Sequence, residues 1–189
     1  MNDNTRVTQA KVDEMFTDRW SPRSFTPQPV AQWEIDSMLE AARWAPSCYN
    51  EQPWSFAYAT SEKDRARFAT ALVEQNQVWA AKAPMLMFVV VCKKFKMTGE
   101  PNDFAVFDAG SAWMSLALQA RKLGLYAHGM AGFSKEKASQ IIGLNPETHT
   151  IGAAVAVGRL GPREALPEKL AAVEFPNDRK PLSDMTWKW

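Results

Sequence analysis

The chain has 189 residues, 46% of them hydrophobic, with 22 Lys plus Arg against 21 Asp plus Glu, 8 Trp, 2 His and 2 Cys. Such a length supports a full hydrophobic core, since a chain of this size buries roughly 70% of its unfolded surface. A formal charge of +1 excludes a general nucleic-acid binder, which needs a clear basic excess.

Cys48 and Cys92 form no CxxC pair and His128 and His149 no HExxH, so neither a metal site nor a redox dithiol is expected. The N-terminal stretch MNDNTRVTQAKVDEMF carries acidic residues and lacks an apolar core of ~7–15 residues, so it is not expected to be a signal peptide. No run approaches the ~20 apolar residues of a membrane span. The expectation is a cytoplasmic protein with no membrane and no nucleic-acid partner.

Taken in chain order, Val12, Met15 and Phe16 at helical spacing predict a helix over 8–18. Ile35, Met38, Leu39 and Ala42 predict a second over 31–44; Pro22 and Pro46 follow the two helices. Residues 54–60 fit a strand, and Ser61 with Asp64 forms a capping-box-like start to a polar helix. The run MLMFVVVC at 85–92 fits a strand covered on both faces.

Residues 104–123 form a mostly apolar helical pattern closed by Gly124, central to the core or part of a subunit interface. A strand over 125–130, a helix over 134–142 capped by Ser134 and ended by Gly143, and a strand over 150–158 follow. The reading is a single domain over 1–189, with 160–189 as an extended C-terminal arm. That arm holds Pro162, Pro167, Pro176 and Pro181 and ends in aromatic residues, so it is expected to pack on a second copy of the chain. Trp33, Trp44, Trp79 and Trp113 are expected to pack within the chain, and Trp187 and Trp189 against the partner.

Four segments carry groups suited to a ligand. In RWSPRSF, Arg19 and Arg23 with Ser21 offer guanidinium forks and a hydroxyl to one phosphate or polyol, or simply place cations at a helix C-terminus. In WAPSCYNEQPW, Pro46 and Pro53 stiffen a loop whose Ser47, Asn50 and Gln52 can face a planar heterocycle or serve their own backbone. In AHGMAGFS, Gly129 and Gly132, placed between a strand and a helix, let backbone N–H groups approach a ligand, while His128 reads as structural. The segment matches neither GxGxxG nor a Walker A loop. NDRKPL in the arm is a solvated basic turn unless it returns to the first segment.

Together and in this order, the segments resemble the FMN-dependent nitroreductase family. Arg19, Ser21, Arg23 and Phe25 match its R-R-S-x-R-x-F-like opening, and Ala45, Pro46, Ser47, Asn50, Gln52, Pro53 and Trp54 its A-P-S-x-x-N-x-Q-P-W loop. Residues 129–133 match a G-M-x-G-F turn and 179–182 a late R-K-P-L element. Trp20, Cys48 and Ala131 depart from the residues usual there.

The resemblance implies an α+β, nitroreductase-like fold with a central, mainly antiparallel sheet flanked by helices and the C-terminal tail wrapping onto the partner subunit of a homodimer. FMN would bind in the interface clefts. It implies Arg19, Trp20, Ser21 and Arg23 on one subunit, with Arg179 closing on the phosphate. Pro46, Ser47, Cys48 and Asn50 of the other subunit would line the flavin, with Gln52 supporting their loop. Gly129, Met130, Ala131 and Gly132 would present main chain, the N–H of Ala131 or Gly132 near flavin N5. No catalytic side chain is required, because the cofactor carries the chemistry.

The implied activity passes reducing equivalents from NAD(P)H, a transient co-substrate, to a nitroaromatic, quinone or similar small-molecule acceptor. The alternatives are a flavoenzyme for an enone or halogenated aromatic, and a flavin-binding or interaction protein without turnover. The segment KKFKMTGEPND, 93–103, is expected to be a short lid that sets acceptor preference.

Overall fold

The apolar run MLMFVVVC forms β2 (Met85–Cys92), buried on both faces from Met85 to Val91, as its lack of alternation predicts. It sits inside a four-stranded sheet of order β1-β2-β4-β3, with β1 at Trp54–Ala59, β3 at Tyr126–Met130 and β4 at His149–Gly158. Every pairing is antiparallel. The computed structural model describes residues 6–189; residues 1–5, which begin the stretch read above for a signal peptide, lie outside the described residues.

Seven helices surround the sheet among the described residues: α1 (Glu14–Asp18), α2 (Gln32–Arg43), α3 (Glu62–Ala69), α4 (Glu74–Ala80), α5 (Ala105–Lys122), α6 (Lys135–Ile142) and α7 (Glu168–Ala171). Period-two alternation in the strands divides the core. Met85, Met87, Val89, Val155 and Val157 face α2 and α5, where they meet Ile35, Met38, Ala112, Leu116 and Ala120. Leu86, Phe88, Ile151, Ala154 and Ala156 face the other way, onto Trp20, Phe25, Phe68, Trp79 and Ala138. Burying a side chain such as Met38 or Leu116 completely contributes roughly 1.5–3 kcal/mol.

The caps follow the sequence. Ser61 Oγ accepts from Asp64 N at 3.1 Å and Ser134 Oγ from Lys137 N at 3.2 Å. Gly124 and Gly143, at φ 76° and 67°, close α5 and α6 in the left-handed conformation that such stops require.

Several expectations need correction. The first helix begins at Glu14 rather than at residue 8, because Asp13 caps it through Met15 N at 2.9 Å. Helix α4 was not anticipated; EQNQVWA is polar apart from Val78, Trp79 and Ala80, and it is held by burial of the last two. Gly129 lies within β3, opposite Val155, as the strand read over 125–130 has it, and so not between that strand and the next helix. Trp79 is buried as expected, but Trp33 and Trp44 are 64% and 74% exposed. Trp33 projects from the side of α2 opposite Ile35, and Trp44 is held at the surface by its indole N–H donating to Glu40 at 2.9 Å.

The segment after α1 is tied to the segment after β4. Thr26 N donates to Arg159 O and Gly161 N to Ser24 O, both at 2.9 Å. Gly161 permits this approach, since a Cβ there would lie 2.7 Å from Ser24 Oγ and 2.8 Å from the Phe25 carbonyl carbon. Backbone cannot step aside as a side-chain tip can, so Gly161→Ala is expected to cost about 2 kcal/mol, or about 4–8 °C in Tm. A melting curve that coincides with the parent's would contradict this packing.

Candidate functional site

The chain leaves α1 in an extended conformation at Arg19 and runs beside β3, Trp20 meeting Tyr126 and the Pro22 carbonyl meeting His128. The C-terminal arm returns to the same place. Arg6 Nη1 donates to Thr17 O and Arg19 O, each at 2.8 Å, and Arg6 Nε to Asn177 O at 2.9 Å. Arg179 Nη1 donates to Asn177 O at 3.1 Å and Asp178 O at 2.9 Å.

These segments enclose a cavity of about 260 Å³ lined by Arg6, Arg19, Trp20, Ser21, Arg23, His128, Asn177 and Arg179, with Val173 and Phe175. No Asp or Glu is among its lining residues. The structure thus brings Arg179 to the first motif, and it adds Arg6, which no sequence signal marked.

Burial, then Arg179, then Arg6 lower the pKa of the Arg19 guanidinium from its ordinary value. Arg6 is lowered by burial and by Arg179, with Asp178 and Asp18 acting in the opposite direction. Cations crowded together and partly withdrawn from water form a site that an anion relieves. Trp20 packs in the lining with its indole Nε1 buried and without a hydrogen-bond partner among the described residues.

Arg23 is held differently. Its Nη1 lies 3.3 Å from Glu174 Oε2, while Glu174 Oε1 accepts from Arg23 N at 2.5 Å and Ser24 N at 3.1 Å. Glu174 is buried. One carboxylate therefore fixes the backbone of the motif and partly neutralises its second arginine.

His128 Nδ1 lies 2.9 Å from Pro22 O, and since a carbonyl only accepts, Nδ1 carries the proton. The ring packs on Trp79 at 4.5 Å between centroids. Burial pushes the imidazole pKa down, the Pro22 bond opposes this, and Arg23 adds to it. The unfolded chain therefore takes up a proton near pH ~6.5, where folded His128 still refuses one, so stability falls with acidification until the folded pKa is reached. The urea midpoint should fall more steeply below that pH in the parent than in His128→Gln, which can still donate to Pro22 but does not titrate. Equal slopes would contradict a neutral, buried His128.

The second motif forms a separate structure. Cys48–Asn50 is a short helical turn, and Tyr49, Asn50 and Gln52 have φ of 52°, 56° and 50°. Left-handed non-glycine residues cost about 1–3 kcal/mol each, so the loop needs restraints. Asp108 Oδ2, buried on α5, accepts from Cys48 N at 3.0 Å. Ser47 Oγ accepts from Gln52 N, and Gln52 Nε2 donates to Asn50 O, both at 2.9 Å. Glu51 Oε1 accepts from Lys96 N at 2.5 Å, and the Tyr49 and Phe95 rings meet edge-on at 6.2 Å.

The segment expected to be a lid is thus a small hairpin, paired at Lys94 and Pro101 and docked on this loop. Pro46, Ser47, Cys48 and Asn50 do not line the arginine cavity of their own chain, nor do Gly129, Met130, Ala131 and Gly132. Gly132 O accepts from Val73 N and Asn76 Nδ2, each at 3.0 Å, which docks the turn after β3 on α4.

Among the described residues, no helix is long and apolar enough to cross a membrane, and no group of three or more His, Cys, Asp or Glu could hold a metal ion.

The family model described as Nitroreductase family matches residues 16–86 and 74–159. A protein of Archaeoglobus fulgidus, provisionally named an NADH dehydrogenase/NAD(P)H nitroreductase, is 27% identical over 149 residues, covering 77% of this chain and 83% of its own. A nitrobenzene nitroreductase of Ectopseudomonas oleovorans is 39% identical over 67 residues, 35% of this chain and 29% of its own. The crystal structure of an oxidoreductase containing FMN superposes with a TM-score of 0.93 at 40% identity, covering 100% of this chain and 96% of that one.

Proposed function

The chain belongs to the nitroreductase family and is an FMN-dependent oxidoreductase, and from this premise we propose that it passes reducing equivalents from NAD(P)H to a nitroaromatic, quinone or similar small acceptor. The acid-free arginine cavity carries the reading. Its donor set fits a phosphate monoester: Arg6, Arg19, Arg179 and Ser21 line one cavity with no carboxylate in its lining, and of the cavity's arginines Glu174 pairs with Arg23.

FMN supplies the hydride chemistry when bound. Arg19 and Arg179 hold its phosphate, with Ser21 and Trp20 beside them. Arg23, braced by Glu174, provides the cation that favours negative charge on the ring system. Pro46, Ser47, Cys48 and Asn50 reach the flavin from a second copy of the chain, in keeping with their distance from the arginine cavity of their own chain. Main chain at Gly129, Met130, Ala131 and Gly132 faces the reacting edge.

A homodimer accounts for the exposed apolar side chains of Phe104, Val106 and Phe107 at the start of α5, and of Phe175, Met185, Trp187 and Trp189 in the arm. In this reading residues 1–189 act as one domain in the cytoplasm, with 160–189 as the arm that embraces the partner. The hairpin at 93–103 touches the flavin-side loop through Glu51 and Tyr49 and so sets acceptor preference.

The test is anaerobic mixing of the purified protein with NADH and with NADPH. The visible flavin band should bleach with at least one of them and return when a nitroaromatic or quinone is added. A colourless protein, or a band that neither nicotinamide bleaches, would reject the function.

A further inference from the structure

We propose that Arg6 is a positioning residue of the phosphate cavity, a planar staple that fixes Arg19 and Arg179 relative to one another. The proposal rests on the flavin reading for its ligand but not for its geometry. Arg6 lies outside the span matched by the family model, which begins at residue 16.

Three of its bonds go to the two stretches of chain that carry the cavity's other arginines. Thr17 O and Arg19 O are carbonyls at the end of α1, beyond the reach of intrahelical N–H donors. Asn177 O stands two residues before Arg179 and accepts from both Arg6 Nε and Arg179 Nη1. One carbonyl is thus shared by the staple and by the arginine it positions. Beyond it, Leu182 N donates to Gln9 Oε1 at 2.7 Å, a second tie between the N-terminal segment and the arm.

Guanidinium geometry matters here. A planar fork presents donors at fixed angles and can serve carbonyls on two segments at once, whereas an ammonium is a compact point charge on a flexible stem. Gathering Arg6, Arg19 and Arg179 without acids in the lining also opposes closure of the arm. Asp18 and Asp178, which act on Arg6, offset part of that opposition. The arginine cluster is therefore held by directional bonds against its own repulsion until a phosphate arrives.

Arg6→Lys and Arg6→Gln test this. FMN and riboflavin affinities are measured after flavin removal, and amide hydrogen exchange over 174–180 is measured on each protein with and without flavin. Both variants should bind FMN about tenfold or more weakly, the loss of ~1.4 kcal/mol of positioning, leave riboflavin affinity unchanged, and exchange faster over 174–180 while β2 stays protected.

Parental FMN affinity in Arg6→Lys would overturn the proposal, because charge alone would then suffice. Equal losses for FMN and riboflavin, or unchanged exchange over 174–180, would overturn it as well. If the parent binds neither flavin, the flavin reading fails, and the exchange of the two variants still decides whether the staple exists.

Discussion

Arg19→Ala should bind FMN about 100-fold more weakly than the parent, and its flavin-free form should melt no lower. Hydrogen bonds between charged partners contribute about 1.5–3 kcal/mol each, and a bidentate guanidinium on a phosphate lies toward the upper end; at ~1.4 kcal/mol per factor of ten, that gives about two decades. The stability half of the expectation comes from the crowding. Burial and the neighbouring Arg179 and Arg6 lower the Arg19 pKa, so its charge opposes folding in the absence of an anion. The Arg19 carbonyl that Arg6 holds is backbone and survives the substitution.

Arg179→Ala should follow the same pattern. Flavin fluorescence titration gives the affinities and a thermal melt the stability. An Arg19→Ala affinity close to the parent's would remove this residue from the phosphate site, and a marked loss of Tm would make it a structural residue instead.

Glu174→Ala is expected to be the most damaging change to stability near the site, at about 3 kcal/mol. Two backbone N–H groups, of Arg23 and Ser24, lose their acceptor, and each costs ~1–3 kcal/mol if buried and unmet. The Arg23 guanidinium also loses its ion partner, but it is 31% exposed, so solvent recovers most of that contact. Glu174→Gln keeps one acceptor oxygen and should lose about half as much. Urea unfolding checks both. Losses under about 1 kcal/mol in Glu174→Ala would show that the 19–25 segment is held by its other bonds, to Arg6, His128 and 159–162, without need of this carboxylate.

The strands were legible because their signal is local. An unbroken apolar run such as 85–92 can be satisfied only by burial on both faces, and its observed limits agree with those read from the residues. Helix α4 was not legible, since its polar composition gives no apolar stripe and its formation depends on where Trp79 finds the core. The false start at residue 8 has the same origin: Val12 is exposed, so its helical spacing to Phe16 reflects no buried face.

Of the cavity's lining, Arg19, Trp20, Ser21, Arg23 and Arg179 could be read from their types and order. Arg6, Asp108 and Glu174 could not, because each acts on backbone groups of a distant segment, and a lone charged residue carries no local mark of such a partner. For Asp108 a faint signal existed, an acid in a mostly apolar helix. Glu174, in AAVEFP, offered none.

The most direct test of the account is titration of the flavin-free protein with FMN and with riboflavin, which differ only by the phosphate. If the arginine cavity holds that phosphate, FMN should bind at least about 100-fold more tightly, a difference of ~2.7 kcal/mol. Equal affinities for the two flavins would contradict it.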